Sequence, residues 1–452
     1  MLEIIILAAG RGTRMHSDLP KVLHDLAGKP LLQHVLDTAS LLNPSRIHVV
    51  IGHGAERVRE TVVGDVQFHI QAEQLGTGHA VLQALPHCDQ DSTVLVLFGD
   101  VPLISMQTLE VLLPSALNAP IMLAAAMDDP SGYGRVLRNE AGDFIGVVEQ
   151  KDASDEQLAL HEVNTGVLAG PAPLLARLLE QVGNENAQGE YYLPDALGLA
   201  VAEGLKVSVS VTQEVGDTLG INDRIQLEYV ERLYQSRQAA TLMRAGVAVR
   251  DRQRIDIRGT LHCGRDVNID VNTLFEGTVI LGDRVSIGAN CVLKDVEIAS
   301  GTVIHPFCHL DSATVGSDCS VGPYARLRPG TVLASAAHIG NFVEIKNAQL
   351  GVGSKASHLS YIGDSTLGDG CNVGAGTITC NYDGAYKHRT VLGDRVFIGS
   401  NSTLVAPLTI ATDGFVAAGS TVTKDIDTAQ LAVSRSRQRN IDGWQRPVKN
   451  KD

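Results

Sequence analysis

An aliphatic side chain recurs at every sixth position in the second half of the chain, and this spacing constrains the fold more than any other feature. The run is clearest at Val321, Leu327, Leu333, Ile339 and Ile345, and glycine often follows the aliphatic residue. A period of six fits neither the 3.6-residue turn of a helix nor the two-residue alternation of an ordinary strand. We therefore predict a parallel β-helix, in which three short strands and their corners close a coil of about 18 residues.

The same period extends in both directions from this run. It includes Ile255, Leu261, Val267, Leu281, Ile287 and Leu293 upstream, and Leu392, Ile398, Leu404, Ile410, Val416 and Val422 downstream. The largest interruption lies between Val373 and Leu392 and contains the polar, aromatic and basic segment 381–389. Excursions from a regular scaffold often carry function, so we predict a functional loop here, with a merely tolerated insertion as the alternative.

The first half of the chain opens with a buried strand at residues 4–7, followed by the glycine-rich segment 8–15. A strand, a glycine-rich loop and a helix form a common cradle for phosphate on backbone N–H groups. Arg14 and Lys21 add two cations near the same strand end. We predict a nucleoside triphosphate site, although a glycine turn after a strand is often only a turn.

Helix and strand patterns alternate after this loop. Helices are expected at 31–42 and 55–63, and strands at 47–51, 67–70 and 93–98, which predicts a doubly wound parallel sheet. Ligands of such sheets bind at the carboxyl ends of the strands, where segments 10–12 and 71–77 and Asp100 fall. Asp100 is a candidate Mg²⁺ ligand, and a helix cap is the alternative.

A later group of turn signals contains Gly134, Glu149 and Asn164, whose polar groups suit a sugar pocket, although each alone is typical of a turn. Residues 224–245 contain neither glycine nor proline and are predicted to form a connector helix. We therefore divide the chain into a first domain at 1–223, this helix at 224–245, and the β-helix with its tail at 246–452.

Composition limits the classes of function. The 452 residues carry a net charge of −14, which argues against nucleic acid as a partner. The seven cysteines show no metal-binding spacing and are expected to be free thiols, and no segment has the length of a membrane span, so we expect a cytoplasmic protein.

Polar residues gather on neighbouring repeats just before the long interruption: Arg328, Lys346, His358, Tyr361 and Asn372. The two cations suit a phosphate group, and His358 suits a general base because histidine titrates near neutrality. A zinc site is disfavoured, since His305, His309, His338 and His358 lie at different phases of the repeat.

The motifs LAAGRGTRM…PK, QAEQLGTGHA, FGD, GYGR, NTG and GIND occur in the order found in sugar-1-phosphate nucleotidyltransferases. Together with the hexapeptide repeats, the chain resembles the bacterial bifunctional N-acetylglucosamine-1-phosphate uridyltransferase/glucosamine-1-phosphate N-acetyltransferase family. The resemblance implies an α/β architecture, with a Rossmann-like nucleotidyltransferase domain, a connector helix and a left-handed β-helix. It also implies Mg²⁺, a homotrimer, and the substrates UTP, acetyl-CoA, glucosamine-1-phosphate and N-acetylglucosamine-1-phosphate.

The resemblance also implies roles for individual residues. In uridyl transfer, Arg14 and Lys21 are catalytic, Asp100 and Asn222 bind Mg²⁺, and the nucleotide sugar contacts Leu7, Ala8, Ala9, Gly10, Lys21, Gln71, Gly76, Thr77, Phe98, Gly99, Asp100, Gly134, Glu149, Asn164 and Asn222. In acetyl transfer, His358 is the base, glucosamine-1-phosphate contacts Arg328, Lys346, Tyr361, Asn372, Asn381 and Tyr382, and acetyl-CoA contacts Ala375, Asn381, Tyr382, Ser400, Ala418 and Arg435. Phe98 replaces the tyrosine that is usual in this family. The alternative is a nucleotidyltransferase with one activity, whose solenoid only assembles trimers.

Overall fold

The computed structural model describes residues 1–449. The chain divides into two compact units, Met1–Tyr234 and Gln235–Asp452. The boundary falls within a single long helix, Arg224–Arg244. In the described part of the chain, no helix has the combination of length and apolar character needed to cross a membrane.

Helices and strands are interspersed along the first unit. The helices are α1 Leu31–Leu41, α2 Ala55–Thr61, α3 Thr77–Ala84, α4 Met106–Glu110, α5 Asp155–Leu158, α6 Ala172–Leu179, α7 Asp195–Ala202 and α8 Arg224–Arg244, the last of which continues into the second unit. The strands are β1 Leu2–Ala8, β2 Asp25–Leu26, β3 Lys29–Pro30, β4 Arg46–Ile51, β5 Gln67–Ile70, β6 Thr93–Phe98, β7 Ile121–Ala126, β8 Arg135–Arg138, β9 Phe144–Val148, β10 Glu162–Pro171 and β11 Ser208–Thr212.

The main sheet of this unit has the order β11-β7-β10-β6-β1-β4-β5, with β8 and β9 attached through β10. Strands β1, β4, β5 and β6 are parallel, as the sequence predicted. The expectation of a fully parallel sheet is wrong at β10, which runs antiparallel to both β6 and β7. Only the one-turn helix α5 lies between β9 and β10, so these two strands are not connected by a crossover helix.

Both faces of the sheet are buried. Ile4 and Ile6 of β1 pack into one apolar cluster, and Ile5 and Leu7 pack into a second cluster on the opposite face. Each fully buried aliphatic side chain contributes about 1.5–3 kcal/mol relative to an exposed one. This two-sided core explains the continuous apolar runs of the central strands and holds their carboxyl ends at one common edge.

The second unit is a solenoid of short strands that follow one another from coil to coil. These strands are β12 Ala248–Val249, β13 Ile255–Cys263, β14 Asn268–Ile269, β15 Thr273–Leu281, β16 Ser286–Ile287, β17 Val292–Ile298, β18 Val303–Ile304, β19 His309–Asp311, β20 Ala313–Val315, β21 Ser320–Val321, β22 Arg326–Leu327, β23 Thr331–Leu333, β24 His338–Asn341, β25 Glu344–Lys346, β26 Gln349–Leu350, β27 Lys355–His358, β28 Tyr361–Gly363, β29 Ser365–Leu367, β30 Asn372–Val373, β31 Ile378–Cys380, β32 Thr390–Leu392, β33 Phe397–Ile398, β34 Thr403–Val405, β35 Leu408–Ile410, β36 Phe415–Val416, β37 Thr421–Val422 and β38 Leu431–Ala432.

These strands form the faces of a left-handed parallel β-helix. One face is the 11-stranded sheet from β12 to β38, and the other two faces diverge from β17, one through β20 to β35 and the other through β19 to β37. The aliphatic residues of the six-residue period lie in one continuous core, and Leu261 is the one member that is only partly buried. The prediction of a β-helix is therefore confirmed, and the period arises because one inward side chain is needed on each short strand.

Glycine permits close approach between successive coils, and Gly351 is one example. A Cβ atom at this position would lie 2.4 Å from the carbonyl group of Gly368 on the next coil. Gly351→Ala is therefore expected to lower the free energy of unfolding of the solenoid by about 2 kcal/mol or more, measured by chemical denaturation. Gly353 provides the matched comparison, because its Cβ would meet no atom within 4 Å and only its φ of +67° opposes alanine. Gly353→Ala should cost about 1 kcal/mol, and equal losses in the two variants would contradict the clash.

Candidate functional site

A cavity of about 820 Å³ opens at the carboxyl ends of β1, β5 and β6. Ten of the residues assigned to the nucleotide sugar line it: Leu7, Ala8, Ala9, Gly10, Lys21, Gln71, Gly76, Thr77, Phe98 and Asp100. Three segments far apart in sequence meet here because their strands lie side by side in the sheet. The volume lies within the range of small-molecule sites.

The loop after β5 is held by backbone contacts to a distant segment. Gly78 N–H donates to the carbonyl oxygen of Tyr191 at 2.8 Å, and Tyr191 N–H donates to that of Leu75 at 2.8 Å. Gly76 has a φ of +113°, and a Cβ there would lie 2.6 Å from the Tyr191 carbonyl oxygen. Glycine is thus required at the start of α3, where the backbone packs closely against the Tyr191 segment.

Two oxygen ligands converge on one cation at the edge of the cavity. The Lys21 ammonium donates to the Asp100 carboxylate, and it also donates to Asn222 Oδ1 at 3.1 Å. Ile221 N–H donates to the Asp100 carbonyl oxygen at 2.9 Å, which holds Asn222 beside Asp100. The predicted metal ligands therefore do meet, and the position between them already accommodates a positive charge.

Six of the residues assigned to uridyl transfer are not among those that line the cavity: Arg14, Gly99, Gly134, Glu149, Asn164 and Asn222. Arg14 is exposed in the 3₁₀ turn Thr13–Met15, which Met15 anchors in the core. Gly99 is buried, and its N–H donates to the Leu7 carbonyl oxygen at 2.9 Å. Gly99 therefore joins the ends of β1 and β6, while the side chain of Arg14 is left free to approach a ligand from outside.

The residues predicted to hold the sugar lie together on β8, β9 and β10 and the turns beside them. Asn164 N–H donates to the Gly134 carbonyl oxygen at 2.8 Å, and a Cβ on Gly134 would lie 2.9 Å from Glu149 Oε1. The ring of Phe98 packs so closely on Gly166 that a Cβ there would lie 2.5 Å from it. Gly134, Glu149 and Asn164 thus form one polar corner. Beside it, the absence of a side chain at Gly166 leaves space for the ring of Phe98.

This corner is acidic, and the structure adds a residue that the sequence did not reveal. Burial raises the pKa of Glu149, and the neighbouring carboxylates of Asp195, Asp152 and Glu190 raise it further. Burial, assisted by Asp152, raises the pKa of Asp195 to about 6. Asp195 begins α7 after a proline, so its sequence context indicates only a helix start. No local signal could have placed it beside Glu149.

A second group of potential metal ligands lies within residues 1–449 but is satisfied internally. Glu3, His48 and Cys88 bring their donor atoms within 4.8 Å of one another, and all three are buried. Glu3 accepts from Asp89 N–H at 2.9 Å through one oxygen and lies 2.8 Å from His48 Nε2 through the other. His48 Nδ1 lies 2.9 Å from His69 Nε2. This is a buried hydrogen-bond network in the core rather than an open site.

In the solenoid, His358 lies on a column of residues that repeats from coil to coil. Strand register places Asn341 directly beside His358. On later coils, Ala356 is followed in register by Val373, Ile398 and Val416. His358 lies two residues after Ala356, and the residues two positions after these partners are Ala375, Ser400 and Ala418. These three residues therefore continue the column of His358. The Arg435 guanidinium donates to the Ala418 carbonyl oxygen at 2.6 Å. Three of the residues assigned to acetyl-CoA, Ala375, Ser400 and Ala418, thus form a line of small side chains that leads to His358.

A positively charged group lies on the neighbouring face. Arg328 pairs with Glu344 at 2.9 Å. The pKa of Lys346 is lowered, mainly by the adjacent ammonium group of Lys387 and also by Arg328. These like charges repel one another, and an anion bound between them would relieve that repulsion. Lys387 belongs to the predicted functional loop, but no individual role was predicted for it.

The loop at 381–389 is ordered against the coils. Asn381 is buried, and its amide donates to the Asp364 carboxylate and, at 3.5 Å, to the Tyr361 hydroxyl. Tyr382 is exposed and forms an isolated antiparallel β-bridge with Lys387. These contacts bring Tyr361, Asn381 and Tyr382 together near the charged group. Asn372 is half-buried on β30, where it pairs with Lys355 of β27.

Comparison with known proteins gives family matches in both halves of the chain. Residues 4–189 match the MobA-like NTP transferase domain, residues 257–350 the GMPPB C-terminal domain, and residues 389–424 the hexapeptide repeat of succinyl-transferase. Proteins named bifunctional protein GlmU from Cupriavidus pinatubonensis and Stutzerimonas stutzeri are each 54% identical over 99% of both chains. The one from Ralstonia nicotianae is 53% identical over 100% of this chain and 99% of its own.

Proposed function

The chain belongs to the family of the bifunctional GlmU proteins, and on this premise we propose how its two units divide the work. It is an enzyme of UDP-N-acetylglucosamine biosynthesis with two transferase activities. The solenoid transfers an acetyl group from acetyl-CoA to glucosamine-1-phosphate. The first unit then transfers a uridyl group from UTP to N-acetylglucosamine-1-phosphate and releases pyrophosphate.

Uridyl transfer requires two anions to approach each other. An oxygen of the sugar phosphate attacks the α-phosphorus of UTP while the bond to pyrophosphate breaks, and the protein must stabilise charge rather than supply a nucleophile. The cavity supports uridine and phosphates against residues 7–10 and 71–77, with Lys21 at the phosphates. Gly134, Glu149 and Asn164 orient the sugar, and Arg14 reaches the triphosphate from the exposed turn.

Nucleotidyltransferases of this type use a divalent metal ion, which we take to be Mg²⁺ held by Asp100 and Asn222. Their convergent carboxylate and amide oxygens suit a hard cation. When bound, Mg²⁺ would supply positive charge to the phosphates. Because Lys21 contacts the same two residues, the ammonium group and a metal ion compete for them.

Removing Lys21 should therefore strengthen metal binding while weakening catalysis. In the absence of nucleotide, Lys21→Met is expected to bind Mn²⁺ about three- to tenfold more tightly than the parent protein, because a competing positive charge is lost. Titration of free Mn²⁺ by electron paramagnetic resonance measures this affinity. Lys29→Met is the control, since Lys29 pairs with Asp37 on the surface. Weaker Mn²⁺ binding by Lys21→Met would show that the lysine does not occupy the metal position.

Acetyl transfer requires a neutral amine, a base and space for a thioester. We place the phosphate of glucosamine-1-phosphate among Arg328, Lys346 and Lys387, with Tyr361, Asn372, Asn381 and Tyr382 around the sugar. Acetyl-CoA lies along Ala375, Ser400 and Ala418, with Arg435 near its phosphates. As the amine attacks the thioester carbonyl, His358 accepts the amine proton, and coenzyme A leaves as its C–S bond breaks.

Hexapeptide repeats suggest assembly into a trimer, and we extend the proposal to a homotrimer whose acetyl sites use neighbouring subunits. The exposed position of His358 and Tyr382 supports this, since a neighbouring copy would shield the reacting groups from water. The cytoplasmic location stays a prediction.

The observation that carries the acetyl-transfer assignment is the column from His358 through Ala375, Ser400 and Ala418. The test supplies purified protein with glucosamine-1-phosphate, acetyl-CoA, UTP and Mg²⁺, and follows coenzyme A and UDP-N-acetylglucosamine by mass spectrometry. Both products are expected. A nucleotide sugar that forms only from added N-acetylglucosamine-1-phosphate would favour the alternative, a nucleotidyltransferase with a non-catalytic solenoid.

A further inference from the structure

We infer that Asn341 is a positioning residue for acetyl transfer, which fixes the tautomer of His358 so that its Nε2 atom is the base. This inference rests on the proposed function of the solenoid. The contact that carries it joins Asn341 Oδ1 to His358 Nδ1 at 2.8 Å. An amide oxygen only accepts hydrogen bonds, so Nδ1 must carry the proton. The lone pair of the neutral imidazole is then on Nε2.

Backbone structure holds this contact in place. Asn341 and His358 are register partners on β24 and β27. The next residue, Leu359, donates its N–H to the Asn341 carbonyl oxygen at 3.0 Å, so a backbone hydrogen bond lies beside the side-chain contact. A Cβ on Gly340 would lie only 1.9 Å from the Ser357 carbonyl oxygen. The glycine before Asn341 therefore lets the two coils approach closely just before the pair.

The exposed side of the imidazole is left for substrate. Asn341 is half-buried and His358 is exposed. Within residues 1–449, no hydrogen bond uses Nε2 of His358, whereas Nδ1 is engaged by Asn341. With Nδ1 as the fixed donor, Nε2 can take the amine proton while the N–C bond forms. A neutral partner also suits this base, because a carboxylate there would stabilise the imidazolium and leave less of the free base near neutral pH.

Two substitutions separate positioning from a purely structural role. Asn341→Ala should lower kcat for acetyl transfer by about ten- to a hundredfold, with KM for both substrates within about twofold, because the base loses its preferred tautomer but no substrate contact. Asn341→Asp keeps an acceptor at Nδ1, so kcat above pH 8 should stay within about fivefold of the parent. Its added charge should move the acid limb of kcat/KM to higher pH by about one unit.

The pH profile is informative because the substrates and the other nearby charges are the same in all variants. His338 lies on the strand of Asn341, Lys355 lies on that of His358, and the charges of Lys355, His305 and His358 all act on His338. If the acid limb of kcat/KM shifts only in Asn341→Asp, the shift therefore arises from the changed contact between residue 341 and His358. Asn268→Ala is the matched control, on the same sheet at β14 and outside the proposed site; its kcat should equal that of the parent.

Uridyl transfer in the same preparations reports that each variant is folded. If the parent protein produces no acetylated product, the proposed function itself fails. If the parent acetylates and Asn341→Ala keeps its kcat, or if Asn341→Asp loses activity without any shift of the acid limb, the inference about Asn341 is overturned and the function stands. Selective ¹⁵N labelling of histidine, assigned with His358→Ala, should show the Nδ1–H tautomer in the parent and a mixture in Asn341→Ala.

Discussion

Asp100→Asn is expected to lower uridyl transfer by about a thousandfold and to leave acetyl transfer within about twofold of the parent rate. The carboxylate is a negatively charged partner of the Lys21 ammonium, and the substitution removes that charge while preserving the shape of the side chain. Loss of a single group that stabilises transition-state charge commonly costs about 10²- to 10³-fold in rate. Losing the metal ligand at the same time places the effect at the upper end of this range.

The measurement is the initial rate of pyrophosphate release from UTP and N-acetylglucosamine-1-phosphate, together with the Mn²⁺ affinity of each variant. Asp143→Asn provides the control, since Asp143 is exposed in the turn before β9 and outside the cavity. A variant that keeps the parent rate and Mn²⁺ affinity would remove Asp100 from the metal site.

The second large effect concerns the solenoid. His358→Ala should lower kcat for acetyl transfer by about a thousandfold, because a positioned general base contributes about 10²- to 10⁴-fold. Uridyl transfer from supplied N-acetylglucosamine-1-phosphate should be unchanged, since every residue assigned to that step lies before residue 235. Coenzyme A release, followed with a thiol reagent, measures the effect.

His309→Ala is the matched control for this variant. His309 is an exposed histidine on β19 of the same unit and lies outside the column that contains His358. Its kcat should stay within about twofold of the parent. Acetyl transfer by His358→Ala at the parent rate would mean that another group, or the substrate phosphate, accepts the proton.

The periodic part of the fold could be predicted from local sequence because a single rule operates at each coil. The inward position of every short strand needs one aliphatic side chain, so residues such as Ile339 and Leu404 mark the solenoid without knowledge of any distant contact. The strand-end motifs were equally informative, since parallel strands bring Gly10, Gln71 and Asp100 to one edge of the sheet.

Other features depend on contacts that no local pattern encodes. The antiparallel direction of β10 is set by its pairing with β6 and β7. Asp195 approaches Glu149 only through tertiary packing, and the adjacent ammonium groups of Lys346 and Lys387 are brought together by the loop at 381–389. Asn341 is 17 positions from His358, and only the coil length makes them neighbours.

Each coil of the solenoid forms its strand hydrogen bonds with the coils immediately before and after it. Such a structure transmits tension from one coil to the next instead of distributing it over a whole core. The residues assigned to acetyl transfer begin at Arg328, so the coils between Ile255 and Val321 contain none of them and support the later coils from one end. A force applied at the C-terminal end would peel away the coils of Ala418 and Ser400 first. The enzyme would then lose its acetyltransferase activity at an early step of mechanical unfolding, while most coils of the solenoid are still folded.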